Sequence, residues 1–216
     1  MRKVKFVNEE YYHIYNRGVD KRTIFESKED LDRFFQSMDE FNVIEPIGSI
    51  YANTLRKNKF RHSVSKDEEL VNFICYCLNP NHYHFLLKQL VDKGIEKFMH
   101  KLGMGYAKNF NSKYKRSGSL FQGKFKAVHI ESNEYLLHLS AYVNLNYKVH
   151  NLNKFRHSVS KLYRSSWGEY IKDEKGFCKK DIILDQFENT AEYEKFAENS
   201  LKNIKERKEI KDFLIE

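Results

Sequence analysis

No apolar run in this 216-residue chain approaches the ~20 residues needed to span a bilayer. The basic start, Met1-Arg2-Lys3-Val4-Lys5, passes into Asn8-Glu9-Glu10 without the apolar core of a secretory signal. A membrane partner is therefore not expected, and the reading is cytoplasmic. Cysteine is scarce. Cys75, Cys77 and Cys178 are an odd number in a chain without an export signal, which reads as reduced core thiols rather than disulfides. Cys75-x-Cys77 lacks the two-residue gap of a zinc knuckle, so no metal is expected there. Only 2 Pro and 9 Gly stand beside 14 Tyr and 17 Phe, and 41% of the chain is hydrophobic, a globular composition with enough material for a sizeable core.

What is abundant is positive charge, and it is unevenly placed. The net charge is +8. Residues 171–216 hold 10 Lys and Arg against 12 Asp and Glu, which leaves 28 against 18 for residues 1–170. The body is thus +10 and the tail −2. A basic body rich in Tyr and Phe suits a polyanion, with phosphates neutralised by Lys and Arg and unpaired bases stacked on rings.

The order of elements reads as α+β. Tyr11 to Gly18 alternates like a strand and meets a Gly-Val-Asp turn. Behind Ser27, a helix N-cap, apolar residues at 31, 34, 35 and 38 give an amphipathic helix. Ile47 to Tyr51 is expected as a short strand, and residues 53–69 as an exposed polar loop. A strand over residues 73–78 continues past Asn79-Pro80-Asn81 into His82 to Lys88, with Pro80 expected to mark a bulge or an edge. From Gly94 a helix carries a core stripe of Ile95, Phe98, Met99, Leu102, Tyr106 and Phe110. A strand from Ser119 to Ile130 and a helix from Asn133 to Tyr147 follow. Such an order points to an α+β sandwich rather than a doubly wound sheet. From Ala191 through Phe213 the acidic tail has a helical pattern. Phe187, Tyr193, Phe196, Leu201, Ile204 and Phe213 offer it anchors on the body or on a second subunit of a homodimer; a solvated helix with a few apolar contacts is the alternative.

Nine residues, Asn58 to Lys66, recur identically as Asn153 to Lys161. They are too many for chance and too few for a structural repeat. Both copies fall where loops are expected, so a short repetitive DNA element inserted twice in frame is one origin, and a duplicated basic surface loop the other.

The chemistry centres on His82 and His84. On a strand, residues i and i+2 project from the same face, so two imidazoles can grip one divalent metal; the plain alternative is a structural pair. Downstream, Tyr142 and Asn146 share a helix face at i and i+4. Two nitrogens and an amide oxygen suit Mg²⁺ or Mn²⁺, and a phenol beside them suits attack on a phosphodiester. Among the other tyrosines, Tyr135 has Leu139 where an amide is wanted, Tyr83 should face the opposite side of the sheet, and Tyr106 and Tyr147 have no metal-ligand partner at helical spacing. His138, one turn before Tyr142, reads either as a phosphate contact or as an exposed helix residue.

Four segments then carry a resemblance in fixed order: Tyr12-His13-Ile14-Tyr15-Asn16-Arg17-Gly18, Asn79-Pro80-Asn81-His82-Tyr83-His84-Phe85-Leu86-Leu87, Ser119 to Lys126, and Tyr135 to Asn146. Together they resemble the single-tyrosine transposases of the HUH endonuclease superfamily, in the insertion sequence 200 and REP-associated branch. The resemblance covers residues 8–170 and sets residues 171–216 apart as an acidic, mostly helical extension. It implies a ferredoxin-like α+β palm with a central antiparallel sheet, a metal held by His82, His84 and Asn146, and Tyr142 as nucleophile. It implies cleavage and rejoining of single-stranded DNA beside hairpins through a 5′-phosphotyrosine, without ATP. Asn16, Arg17, Gln122, Lys124, Lys126 and His138 are the expected DNA contacts. Leu162 to Tyr170 resembles the family's Trp-Ser-Ser-Tyr segment with its order disturbed, and Tyr147 stands where proline is familiar, which is expected to lengthen the helix. A non-catalytic nucleic-acid-binding module on the same palm is the competing reading; it would not need His82, His84 and Tyr142 together.

Overall fold

The computed structural model describes residues 4–45, 47–51, 53, 68–149 and 162–213. Among these residues five antiparallel strands form one sheet: β1 (Tyr11–Arg17), β2 (Val71–Asn79), β3 (His82–Gln89), β4 (Lys126–His129) and β5 (Arg164–Ser165), in the order β4-β1-β3-β2-β5. The helices are α1 (Lys28–Glu40), α2 (Gly94–Lys113), α3 (Asn133–Asn144), α4 (Asn146–Val149), α5 (Trp167–Ile171), α6 (Asp181–Leu184) and α7 (Thr190–Phe213). The path β1-α1-β2-β3-α2-β4 with spatial order 4-1-3-2 is the ferredoxin-like arrangement, extended at the β2 edge by β5.

Alternation along the strands divides the core in two. One face presents Tyr12, Ile14, Tyr83, Phe85, Leu87 and Phe73 to α1 and α2. Against it lie Leu31, Phe34 and Met38 of α1 and the expected stripe of α2, every member of which is buried. The α1 N-terminus is fixed by a capping box in which Ser27 Oγ accepts from Asp30 N and Asp30 Oδ2 accepts from Ser27 N. Asp30 is itself buried and also accepts from Lys113 Nζ at 2.6 Å and Tyr114 Oη at 2.7 Å, so one carboxylate caps α1 and pins the end of α2.

The opposite face presents Cys75, Cys77 and Leu86 to Leu136, Leu139 and Val143 of α3, and Tyr193, Ala197 and Leu201 of α7 complete that cluster. The C-terminal helix therefore spends its apolar face on its own chain. The Tyr193 hydroxyl anchors it, 3.0 Å from Ser140 Oγ and 2.9 Å from Asn144 Nδ2. The side chain of Phe213 lies outside the described residues. All three cysteines are free thiols.

Several expectations give way. Ile50 and Tyr51 are helical rather than extended, and Asn53 N bonds Ser49 O at 2.9 Å, one helical turn back. Asn53 is not an exposed loop residue but buried, its amide donating to the Glu40 carboxylate. Pro80 marks neither bulge nor edge: with Asn81 it forms a two-residue turn between the facing pair Asn79 and His82, and the register shift falls at Phe73/Cys75. Its missing N–H costs nothing there, while its carbonyl accepts from Ile24 N and Phe25 N. The strand expected from Ser119 to Ile130 is only Lys126–His129, preceded by a loop whose Phe121 bridges Gly18. Gly118 and Gly123 in that loop have φ of +84° and +67°, which ladder geometry does not accommodate. The helix expected through Tyr147 breaks at Leu145, so absence of proline did not lengthen it. Both copies of the nine-residue duplication, Asn58 to Lys66 and Asn153 to Lys161, lie outside the described residues. No helix among those described is long and apolar enough to cross a membrane.

Candidate active site

The pairing register builds two side-chain rows on the face that carries α3. Asn79, His82 and Arg17 are cross-strand neighbours on β2, β3 and β1; one step on, Cys77, His84, Tyr15 and Lys126 form the next row across four strands. His82 and His84 thus share a face, as the spacing requires, with ring centroids 5.3 Å apart and planes nearly perpendicular at 87°. Tyr83 between them points into the opposite core.

Over the histidines sits the break between α3 and α4. Tyr142 lies in the last turn of α3, its ring 5.5 Å from that of His84 and at 82° to it. Asn146 opens α4, and its Oδ1 lies 3.1 Å from His82 Nε2. All four expected groups are thereby brought together. Burial raises the Tyr142 phenol above its usual value, with the Asn146 carboxamide beside it pulling the other way. At neutral pH the phenol keeps its proton.

The proton positions follow from the partners. Asn81 Nδ2 donates to Lys21 O at 3.2 Å, which aims its Oδ1 at His82 Nδ1, 2.6 Å away. A carboxamide oxygen only accepts, so in the neutral ring a proton on Nδ1, at the shorter of the two contacts with such an oxygen, leaves Nε2 a lone pair for the Asn79 amino group. Asn79 Nδ2 meets that lone pair at 3.0 Å and Asn146 Oδ1 at 2.8 Å. His84 Nδ1 is 2.8 Å from Nε2 of His13, a buried residue on β1 whose ring stacks on His84 at 5.1 Å. Burial pushes His13 down to about 4, so it is neutral at physiological pH and serves as a hydrogen-bond partner, not a charge.

The donor set fits a hard divalent ion. Among the described residues no group of three or more His, Cys, Asp or Glu side chains is arranged to hold a metal, so a site here needs the carboxamide oxygen as well as imidazole. The 3.1 Å between Asn146 Oδ1 and His82 Nε2 is close to the ~3.0 Å between neighbouring corners of an octahedron with bonds of about 2.1 Å. Among the described residues no hydrogen-bond partner meets the buried Asn146 Nδ2, although the Tyr142 phenol lies beside this carboxamide. Leaving a buried donor unpaired costs roughly 1–3 kcal/mol, and here that cost accompanies an oxygen turned toward His82.

The expected DNA contacts separate. Arg17 and Gln122 bond to each other beside His82, and Lys126 Nζ lies 5.9 Å over the Tyr15 ring, which stacks on His84 at 5.6 Å. These three border the histidines. Asn16 faces the other side of the sheet and donates to Gly123 O at 3.2 Å; with Lys124 it lines a cavity of about 850 Å³ between α2 and the loop before β4. His138 is an exposed helix residue, one of its two expected readings; its Nδ1 lies 3.0 Å from Ser200 Oγ of α7, and its ring lies beside Phe196. A second cavity, of about 550 Å³, lies next to the phenol and is walled by His13, Tyr135, Tyr142, His138 and, from α7, Asn203 and Ile204.

Sequence reasoning missed His13, Asn79 and Asn81. Asn79 was legible in principle, since a two-residue Pro-Asn turn places it opposite His82. The contact of His13 with His84 depends on the β1–β3 register, and no local pattern encodes it.

The family model described as IS200-like transposase matches residues 50–146. No curated protein matches the chain. A solved structure described as a REP-associated tyrosine transposase bound to a REP hairpin is similar in fold at a TM-score of 0.49 and 8% identity, over 82% of this chain and 91% of that one. The matched stretch, residues 50–146, carries both histidines, Tyr142 and Asn146.

Proposed function

We propose that this protein cleaves and rejoins single-stranded DNA, with Tyr142 as the nucleophile and a divalent ion, Mg²⁺ or Mn²⁺, held by His82, His84 and Asn146. The observation that carries the reading is the convergence of a phenol, two imidazoles and a carboxamide oxygen at the α3–α4 break, in a stretch matching a transposase family. In this reading residues 8–170 are the catalytic unit, and residues 171–216 brace α3 from behind.

When bound, the ion supplies Lewis-acid polarisation of the scissile phosphate and stabilises the charge that develops on it. The chain supplies the rest. Tyr142 gives up its phenol proton and its oxygen bonds to phosphorus; the bond from phosphorus to the 3′ oxygen breaks, and that oxygen leaves as a hydroxyl after taking a proton. The 5′-phosphotyrosine retains the bond energy, so attack by a 3′-hydroxyl reverses the step without ATP. Arg17 and Lys126 flank the histidines where a strand's phosphates would be neutralised, and Tyr15 offers a ring between them.

The test is incubation with labelled hairpin-bearing single strands and Mn²⁺ or Mg²⁺. A covalent protein–DNA adduct is expected, absent in Tyr142→Phe, in His82→Ala and with chelator. Tight DNA binding without adduct in any metal would favour a binding module instead.

A further inference from the structure

Three polar atoms at the end of the β2–β3 hairpin form a nearly equilateral triangle. His82 Nε2 and Asn146 Oδ1 are 3.1 Å apart, and Asn79 Nδ2 is 3.0 Å from the first and 2.8 Å from the second. Asn79 is 0% exposed. Its amino group points one hydrogen at each of two lone pairs, the office a cation would perform. Without that group, two acceptors would face each other at 3.1 Å with nothing positive between them.

A carboxamide is close to symmetric in shape, and half a turn about its last side-chain bond exchanges oxygen for nitrogen. Little holds Asn79 in its present orientation from the far side: its Oδ1 receives the Cys77 thiol at 3.8 Å, a weak contact. After the turn, the oxygen would stand at the third corner of the triangle. Edges of 2.8, 3.0 and 3.1 Å match one face of an octahedron with bonds of about 2.1 Å, whose edges are ~3.0 Å.

We propose that Asn79 is a further metal ligand of this site, its carboxamide donating to His82 and Asn146 in the metal-free protein and turning to present Oδ1 when the ion enters. The inference rests on the proposed metal site and adds a ligand that the His82–His84–Asn146 set does not include. It also accounts for a fully buried asparagine at a strand end, where an apolar residue would pack without needing hydrogen-bond partners.

Two measurements on the full chain test it. Mn²⁺ affinity by calorimetry is expected to fall roughly tenfold or more in Asn79→Leu, to be retained or tightened in Asn79→Asp, and to be lost in His82→Ala. A crystal structure of the Mn²⁺-loaded wild type, with the ion located by its anomalous signal, is expected to place Asn79 Oδ1 within bonding distance. Wild-type affinity in a folded Asn79→Leu variant, or a loaded structure in which Asn79 does not contact the ion, overturns the inference and leaves the site itself standing. Absence of Mn²⁺ binding by the wild type overturns both the inference and the metal reading. Binding with all the expected variant effects but no DNA adduct would sustain the ligand assignment and sink the proposed catalysis.

Discussion

Tyr193 of α7 reaches across to Asn144 at the end of α3, its hydroxyl accepting from Asn144 Nδ2 at 2.9 Å while lying 3.0 Å from Ser140 Oγ. Asn144 Oδ1 in turn accepts from Ser166 Oγ at 2.6 Å. The turn of α3 that carries Tyr142 is thereby held from the tail and from the segment before α5. Tyr193→Phe keeps the ring and leaves buried Asn144 Nδ2 without this acceptor. A loss of about 1–3 kcal/mol is expected in urea unfolding; an unchanged midpoint and slope would show the tail to be an ornament on α3.

Asp30 should be the more expensive residue in the opposite core. Asp30→Ala removes the reciprocal half of the α1 capping box, takes the 2.7 Å acceptor of Tyr114 Oη, and leaves Lys113 Nζ only Ser27 Oγ at 3.2 Å. Ser27→Ala removes the cap oxygen and the longer, exposed contact of Lys113, and should cost ~1 kcal/mol. The expected order in denaturant midpoint is wild type, then Ser27→Ala, then Asp30→Ala. An inverted order would mean that the link between α1 and α2 contributes less than the cap.

Burial raises all three thiols, that of Cys77 to about 12. Because the thiolate is the reactive form, folding withholds it at pH 8. A disulfide reagent should find Cys75 and Cys77 unreactive in the native protein, with half-buried Cys178 the first to react, and all three after denaturation. Rapid native labelling of Cys75 or Cys77 would contradict the packing of the α3 face.

Asn81 should act on the metal without touching it. Its Oδ1 holds the proton on His82 Nδ1, so Asn81→Ala frees the imidazole to take the other tautomer. The proposed site then predicts a 10–100-fold weaker Mn²⁺ affinity, with any DNA-adduct yield recovering at high Mn²⁺. A loss of adduct that no metal concentration restores would point to a role outside metal binding.

How much of this was legible from sequence depended on the range of the interaction. The shared face of His82 and His84, the α2 stripe and the Ser27 cap rest on periods of a few residues, and each appears in the structure as read. The Ser119–Ile130 segment was misread because alternation is the same in a strand and in a loop that crosses a sheet end. Its two positive-φ glycines were the available warning. Asn16 was assigned to DNA beside Arg17, yet neighbours on a strand face opposite ways; period-two logic places Asn16 against Gly123 and Tyr83, away from the histidines. His138 lies on α3 one turn before Tyr142, but the side chains that claim it, Ser200 and Phe196, are some sixty residues downstream. No spacing rule could have supplied them.

The central claim is that Tyr142 forms the covalent bond. Peptide mapping by mass spectrometry after reaction with single-stranded hairpin DNA and Mn²⁺, followed by nuclease trimming, locates the modified residue directly. The account predicts a nucleotide phosphate on Tyr142, with the released fragment ending in a 3′-hydroxyl. A phosphotyrosine at Tyr135 or any other position, or cleavage with no protein-linked nucleotide, would contradict it.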